Sequence, residues 1–390
     1  MDFSLLLLLG VTASIFVGFN IGGSSTGVAW GPSVGAGLIT KTTAAAIMTF
    51  FVFLGGWTVG RNVIETLSGD IITTSISLEA GVAILVFIGL GILVANVFGV
   101  PVPTSMTTVA AIAGLGLATD TLQWDTIGWI ASWWIVTPIV GFWIGAFVGR
   151  YLYPHLDRRF QVASTEGPLV TINRDGLIPR LGLGPETTRN EFMGTLIVLV
   201  VACYMAFSAG ASNIPNAIAP LVSDGAMGEN PAILIATLAI GLGGFTIARR
   251  TMESVGTELS ELTLLTAVIV MLTAATITTI LSYIGVPISL VMATVMTIVG
   301  IGWGRSSRAI AINELIRPDI SHQEPAPMGA LSVETPPDFP AIGEPEPDEI
   351  MESGRLFDRR ATAKFVSMWI IGPCLSLGLS YLFFTLTPLV

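Results

Sequence analysis

The sequence predicts an all-α polytopic membrane protein built from two inverted repeats that contain broken or re-entrant helices. Two observations support this fold class. The 390-residue chain is 52% hydrophobic and only 11% charged, with a mean hydropathy of +0.78, and this exceeds what a soluble domain of its length needs for its core. In addition, three segments of the first half recur in the same order in the second half.

The internal repeat is visible in three pairs of matching segments. They pair residues 19–34 with 207–222 and 60–70 with 248–258 at an offset of 188, and residues 99–116 with 285–302 at an offset of 186. Two related hydrophobic halves, each interrupted by Gly, Pro and small polar residues, are typical of secondary transporters. In such proteins the substrate site lies between the repeats.

Eight apolar runs approach the length of a membrane-spanning helix, which needs about 20 residues. They lie near residues 3–20, 43–60, 80–99, 126–149, 192–208, 231–248, 262–284 and 365–387. Two shorter runs, 101–118 and 287–303, either span the membrane or re-enter it, since irregular backbone is tolerated at membrane depth where protein buries it. If both span, each half has an odd number of spans and the halves are inverted; if they re-enter, this parity changes.

These patterns divide the chain into five regions. They are a first transmembrane repeat at 1–150, a cytoplasmic linker at 151–191, a second transmembrane repeat at 192–303, an acidic Pro-rich loop at 304–363, and a C-terminal transmembrane helix at 364–390. The linker carries five arginines, and basic loops face the cytoplasm. The acidic loop has too little apolar surface to fold alone, so we expect it to be disordered.

The ionisable residues limit the classes of function. The formal net charge is −10, a bias that a high-salt organism such as a halophilic archaeon would produce, and no nucleic-acid partner is predicted. Cys203 and Cys374 lie inside apolar runs, where cysteine behaves as a small hydrophobe. His155 and His322 lie in polar loops. The sequence therefore predicts no disulfide, no metal framework and no histidine proton relay.

Small polar residues in the first repeated segment are candidate substrate ligands. Gly and Pro cost roughly 1 and 3 kcal/mol in a helix interior, so we expect the helices to break within residues 19–32 and 207–220. A break exposes backbone N–H groups and the positive end of a half-helix dipole, which bind anions. Close packing of helices through small residues is the alternative interpretation. The candidate ligands here are Ser24, Ser25, Thr26, Ser212, Asn213 and Asn216.

The third repeated segment offers further hydroxyl groups. A proline in the first turn, followed by Thr or Ser, predicts a helix N-terminus directed at the same region. Capping of the residues' own helix is the alternative, because capping and ligand binding use the same atoms. The candidates are Thr104, Ser105, Thr107 and Thr108 in the first half and Ser289 in the second.

Two glutamates occupy equivalent positions in the repeat. Glu65 and Glu253 each follow an arginine, Arg61 or Arg249, by four residues, and this spacing predicts a structural ion pair on one helix face. A coupling or gating role is the alternative. The tryptophans of residues 129–143, including Trp134, are interpreted as membrane-interface and packing residues.

At these motifs the chain resembles the inorganic phosphate transporter family (PiT). Members of that family carry a signature containing Asn-Asp and Val-Ala-Asn-Ala in each half, and a Pro-Val-Ser-Thr-Thr-His element downstream. The corresponding signatures here are GGSSTGVA at 22–29 and GASNIPNA at 210–217, and the resemblance spans nearly all of the chain. It implies a cation-coupled phosphate symporter with inverted repeats, often dimeric.

The chain departs from the family pattern at residues that matter for specificity. The family's aspartates fall on Ser25 and Asn213, and its downstream histidines fall on Met106 and Met292. A carboxylate would hold a sodium ion or proton and accept a hydrogen bond from the protonated oxygen of phosphate, whereas sulfate has no such proton. A neutral site suits either anion. Hydroxyl and carbonyl oxygens near Ser25 and Asn213 can still hold sodium.

The predicted function is a secondary active permease for inorganic phosphate across the cell membrane, coupled to sodium or protons and without an organic cofactor. The alternatives are a permease for sulfate or another tetrahedral oxyanion, a channel, and a non-transporting sensor or scaffold. An enzyme is not predicted, because no loop combines paired carboxylates, a nucleophile with a base, or metal ligands. The expected partners are the anion, the lipid bilayer and a second copy of the chain.

Overall fold

The computed structural model describes most of the two hydrophobic halves. The described residues are 3–35, 38–97, 103–157, 170–173, 180–183, 188–246, 264–307 and 359–387. The backbone of residues 24–28 belongs to a helix, but their side chains lie outside the described part. Glu253, Arg249 and most of the acidic loop also lie outside it, so the predictions for them stay predictions.

Twelve helices and two short strands make up the described chain. The helices are α1 (Phe3–Gly35), α2 (Lys41–Trp57), α3 (Gly60–Glu65), α4 (Leu78–Val97), α5 (Thr104–Ala118), α6 (Trp124–Phe147), α7 (Tyr153–Asp157), α8 (Arg189–Val222), α9 (Glu229–Thr246), α10 (Leu264–Tyr283), α11 (Leu290–Ser306) and α12 (Arg359–Leu386). Single π-helical turns follow α3 at Thr66–Asp70 and α6 at Val148–Leu152.

The structure confirms an all-α polytopic membrane fold. Seven described helices are long and apolar enough to cross a membrane, and α2 with α3 forms an eighth candidate span that bends by 62° at Thr58 and Val59. Helices α5 and α11 contain 15 and 17 residues. At 1.5 Å per residue they measure about 22 and 26 Å, less than the roughly 30 Å hydrocarbon core.

The linker contains a short hairpin that the sequence did not predict. Strand β1 (Val170–Asn173) pairs antiparallel with β2 (Arg180–Leu183), and Val170 lies opposite Leu183. The hairpin lies within the predicted linker, between α7 and α8. It adds no layer to the described candidate membrane spans, which are helices.

The predicted helix breaks at the two signatures are wrong. Both α1 and α8 run through their signatures without interruption, and α8 does so with Pro215 and Pro220 in its interior. Membrane helices tolerate proline because neighbouring helices and hydroxyl groups satisfy the freed carbonyl groups. The observed bend instead lies between α2 and α3.

Close helix packing explains the signature glycines. A Cβ atom added to Gly22 would overlap the backbone of Ile240 in α9, and one added to Gly210 would overlap the backbone of Val52 in α2. Small residues allow helix backbones to approach this closely. The packing interpretation is therefore confirmed for Gly22 and Gly210, which occupy the same position of the repeat.

The same helix contacts occur in both halves. Helix α1 packs against α4 and α9, and α8 packs against α10 and α2, the elements at equivalent positions of the repeat. Likewise α5 packs against α12, and α11 packs against α6. Helices α1 and α8 also contact each other, which places the two signature helices side by side at the centre of the fold. The inverted orientation of the halves stays a prediction.

Candidate functional site

Two helix N-termini and the last third of α8 meet in the protein interior. Helix α5 follows Pro103, which offers no side-chain cap. Helix α11 is capped by Ser289, whose hydroxyl accepts a hydrogen bond from the Met292 N–H at 3.4 Å. The capping interpretation is therefore confirmed for Ser289. Each N-terminus adds partial positive charge to the region between them.

A buried hydrogen-bond network joins α5 to α8. The Thr104 hydroxyl donates to Asn213 Oδ1 at 2.8 Å. The Asn216 amide donates to the Ser105 hydroxyl at 3.1 Å, to the Thr104 hydroxyl at 3.3 Å, and to the Ser212 carbonyl oxygen at 2.9 Å. These five residues, which we call the polar cluster, are at most 6% exposed. Buried polar groups persist when they are hydrogen-bonded in this way.

The polar cluster is also bonded to the segment that precedes α11. The hydroxyls of Ser105 and Ser212 both donate to the Ile288 carbonyl oxygen, at 2.9 and 2.7 Å. The Ile288 carbonyl oxygen therefore links Ser105 of the first half and Ser212 of α8 to the connection between α10 and α11.

The structure brings five of the eleven predicted ligands into one cluster. Ser289 follows Ile288 directly and is buried, but its hydroxyl caps α11. Thr107 donates to the Pro103 carbonyl oxygen of its own helix at 3.2 Å. The side chains of residues 24–26 lie outside the described part, although α1 contacts α8. Their role stays a prediction.

The polar cluster is neutral and contains an unpaired acceptor. Its side chains are hydroxyls and amides, without a carboxylate. Asn216 Oδ1 is fully buried and accepts no hydrogen bond from the described residues, and the same holds for Thr108 Oγ1. A buried polar atom without a partner costs about 1 to 3 kcal/mol. An oxygen kept in this state can receive a proton donor or a cation from a ligand.

Sequence reasoning missed two contributors to this region. The Ile288 carbonyl is a backbone group, so the residue type carries no signal for it. The sequence predicts a membrane-interface or packing role for Trp134, yet its indole N–H donates to the Pro287 carbonyl oxygen at 2.9 Å. Only the helix packing shows that this tryptophan reaches the same segment.

The predicted ion pair between Arg61 and Glu65 is wrong. Arg61 lies 3.0 Å from Glu229 Oε1 and donates to Asn230 Oδ1 at 2.7 Å, and its guanidinium stacks over Trp57 at 4.7 Å. Glu65 is exposed. The bend between α2 and α3 turns Arg61 toward the first turn of α9, where Glu229 lies. A partly exposed pair of this kind is worth at most about 1 kcal/mol.

Comparison with known proteins gives a consistent family. The family model described as the phosphate transporter family matches residues 21–380. The chain is 27% identical to the sulfate permease CysP of Bacillus subtilis, over 84% of this chain and 85% of that protein. It is 25% identical to the chloroplastic inorganic phosphate transporter 2-1 of Arabidopsis thaliana, over 77% of this chain and 67% of that protein.

A solved structure supports the fold. The sodium-dependent phosphate transporter superposes with a TM-score of 0.64 at 19% identity, over 97% of this chain and 99% of that chain. The likeness shows the arrangement of the helices. Because the family model covers residues 21–380, nearly the whole chain, this multi-pass membrane protein belongs to the phosphate transporter family.

Proposed function

We propose that this chain is a secondary active permease for inorganic phosphate in the cell membrane. The observation that carries the proposal is the polar cluster, where hydroxyl and amide groups of α5 and α8 meet beside the N-termini of α5 and α11. Neutral donors and helix N-termini bind tetrahedral anions without a basic side chain. Residues of both halves contribute, as expected for a transporter site.

The unpaired oxygen of Asn216 favours phosphate. Phosphate carries a protonated oxygen at neutral pH, and this O–H group needs an acceptor in the site. Asn216 Oδ1 is buried in the polar cluster and accepts no hydrogen bond from the described residues. It can therefore accept from phosphate, whereas sulfate offers no donor to it. With sulfate bound, this buried acceptor stays unpaired. A binding site discriminates against a ligand that leaves one of its buried polar groups without a partner.

Sulfate is the second candidate substrate. Ser25 and Asn213 stand where the family pattern has aspartates, so the signatures lack the carboxylate that would accept a hydrogen bond from phosphate. The similarity to the Bacillus subtilis sulfate permease, at 27% identity, also favours this alternative. Both observations support a site that takes a fully deprotonated tetrahedral anion.

Sodium is the proposed coupling ion. Hydroxyl and carbonyl oxygens suit a hard monovalent cation. Among the described residues, the amide oxygens of Asn216 and Asn213 are the proposed sodium ligands. Ser24, Ser25 and Thr26 are proposed to complete the site from α1, which packs against α8. A homodimer is proposed as the assembly, and the exposed Glu65 as a residue that couples or gates transport.

Uptake into proteoliposomes tests the proposed function. We expect radiolabelled phosphate to accumulate when a sodium gradient is imposed, and counterflow to occur, as a carrier requires and a channel does not. Competition by unlabelled sulfate measures the preference between the anions. The absence of saturable uptake of both anions would favour the sensor or scaffold.

A matched pair of serines on α8 tests the location of the site. Ser212 and Ser208 are both buried, and each donates one hydrogen bond to a carbonyl of another element, at 2.7 and 3.0 Å. We expect Ser212→Ala to lower uptake about tenfold, since a bond to a charged ligand is worth about 1.5 to 3 kcal/mol. Ser208→Ala removes an equivalent structural bond outside the polar cluster and should leave uptake close to wild type. Equal effects of both changes would exclude a specific role for Ser212.

Restoring a carboxylate should shift the anion preference. We expect Asn213→Asp to raise the ratio of phosphate to sulfate uptake about ten- to a hundredfold, because one charge-assisted hydrogen bond contributes about 1.5 to 3 kcal/mol. The variant should also depend more strongly on sodium. Thermal stability is measured first, since an uncompensated buried charge destabilises a protein by several kcal/mol. A stable variant with wild-type ratio and sodium dependence would show that Asn213 does not set the preference.

A further inference from the structure

A cavity lies next to the segment that carries Ile288. It has a volume of about 490 Å³ and is bordered by the π-helical turn after α3, the start of α6, and the end of α10. Ile284 and Gly285 line it directly. Asp70 and Asp125 are also among its lining residues and are exposed, so we take the cavity to be accessible to water.

The segment Val286–Ser289 runs from this cavity to the polar cluster. Its first neighbour, Gly285, lines the cavity, and the Ile288 carbonyl accepts the hydroxyls of Ser105 and Ser212. The segment is non-helical, and the side chains of Val286 and Ile288 are buried in a small apolar cluster. This stretch of chain therefore joins the lining of the cavity to the polar cluster.

The start of the segment is a turn that only glycine adopts easily. Gly285 has φ of +78°, in the left-handed region where L side chains are strained. Its N–H donates to the Ser282 carbonyl oxygen, and the Val286 N–H donates to the Leu281 carbonyl oxygen. These bonds end α10, and the chain beyond Gly285 is then held by side chains of other helices.

Three side-chain hydrogen bonds hold the segment in place. Ser105 and Ser212 donate to the Ile288 carbonyl, and Trp134 of α6 donates to the Pro287 carbonyl at 2.9 Å. The two serines belong to the polar cluster, so the donors that hold the segment are the donors that the proposed function assigns to the anion. A hydroxyl has one proton and cannot serve both acceptors at once.

We propose that Val286–Ser289 is a gate between the cavity and the polar cluster. The arriving anion opens it by accepting the hydrogen bonds that Ser105 and Ser212 donate to the Ile288 carbonyl oxygen in the closed form. Trp134 is the residue that positions the closed gate. This inference rests on the proposed anion site. The freed carbonyl requires a new partner, and water in the adjacent cavity supplies one. Anion binding and release of the segment are therefore linked.

The linkage gives Trp134 an unusual mutational effect. If the anion binds the open form, its apparent dissociation constant equals the intrinsic constant divided by the open fraction. Trp134→Phe keeps an aromatic ring but removes the bond to Pro287, so the open fraction rises. We expect the apparent dissociation constant for phosphate or sulfate to fall two- to tenfold, as expected for the loss of one hydrogen bond. A residue that only supports the fold would not tighten anion binding when shortened.

Trp133→Phe is the matched control. Trp133 packs on the same apolar cluster, but its indole N–H makes no hydrogen bond with the described residues. Isothermal titration of the purified protein with phosphate and with sulfate measures binding for both variants. Tighter binding by Trp134→Phe with unchanged binding by Trp133→Phe supports the gate. Unchanged or weaker binding by a folded Trp134→Phe protein overturns it.

Hydrogen exchange of the unmodified protein tests the gate without any variant. We expect a saturating anion to accelerate amide exchange in the peptide covering residues 284–290, although bound ligands ordinarily slow exchange near their site. Slower or unchanged exchange, with anion binding shown by titration, overturns the gate and leaves the proposed function intact. Absence of binding of both anions in titration overturns the proposed function itself, and the gate with it.

Discussion

Replacement of Asn213 by leucine should reduce anion uptake at least a hundredfold while the protein remains folded. Asn213 is buried and accepts a hydrogen bond from Thr104 at 2.8 Å. Leucine has a similar size but no polar atom. The change therefore removes a hydrogen bond to the anion, worth about 1.5 to 3 kcal/mol, and places apolar atoms in its path. Uptake in proteoliposomes, normalised to monodisperse protein, measures the effect.

Ser208→Val is the control for that experiment. It removes a buried hydroxyl from the same helix, one that bonds to the Ala275 carbonyl oxygen at 3.0 Å. We expect lower thermal stability in both variants and lost uptake only in Asn213→Leu. Wild-type uptake by a folded Asn213→Leu protein would place the anion site elsewhere.

Gly210→Leu should prevent the protein from folding. A Cβ atom at Gly210 would overlap the Val52 backbone, and a backbone carbonyl cannot move aside as a flexible side chain can. Overpacking commonly costs about 1 to 3 kcal/mol and occasionally more, and here the whole α2–α8 contact must separate. We therefore expect a cost above this range, which removes much of a typical stability of about 5 to 15 kcal/mol. The yield of monodisperse protein in detergent reports the outcome.

Gly378 provides the comparison for Gly210. It lies in α12 and has no atom within 4 Å of an added Cβ, so Gly378→Leu should leave the yield near wild type. Gly22→Leu should fail as Gly210→Leu does, because it meets the Ile240 backbone at the equivalent position of the repeat. Normal yield of Gly210→Leu would mean that α2 and α8 pack less closely than described.

The signature residues of α8 contact two different helices. Gly22 and Gly210 allow α1 and α8 to pack closely against α9 and α2. Asn213 and Asn216, which follow Gly210, contact Thr104 and Ser105 of α5. One short segment thus provides a packing surface against α2 and three residues of the polar cluster.

The position of Arg61 shows where sequence spacing was insufficient. A four-residue spacing places Arg61 and Glu65 on one face of a straight helix, and the helix here is preceded by a sharp bend and followed by a π-helical turn. Arg61 pairs across the repeat with Glu229 instead. Local periodicity cannot predict a partner that a bend brings close from 168 residues away in sequence, from 61 to 229.

The sequence by itself determined the membrane class, the repeated segments, and five residues of the polar cluster: Thr104, Ser105, Ser212, Asn213 and Asn216. These follow from hydropathy and from matching residue types, which are properties of the chain in order. Continuous signature helices, the Ile288 carbonyl and the Trp134 contact were decided by tertiary structure. Helix packing outweighs the local cost of Gly and Pro, roughly 1 to 3 kcal/mol each, and a backbone carbonyl such as that of Ile288 accepts side-chain hydrogen bonds here only because distant segments meet.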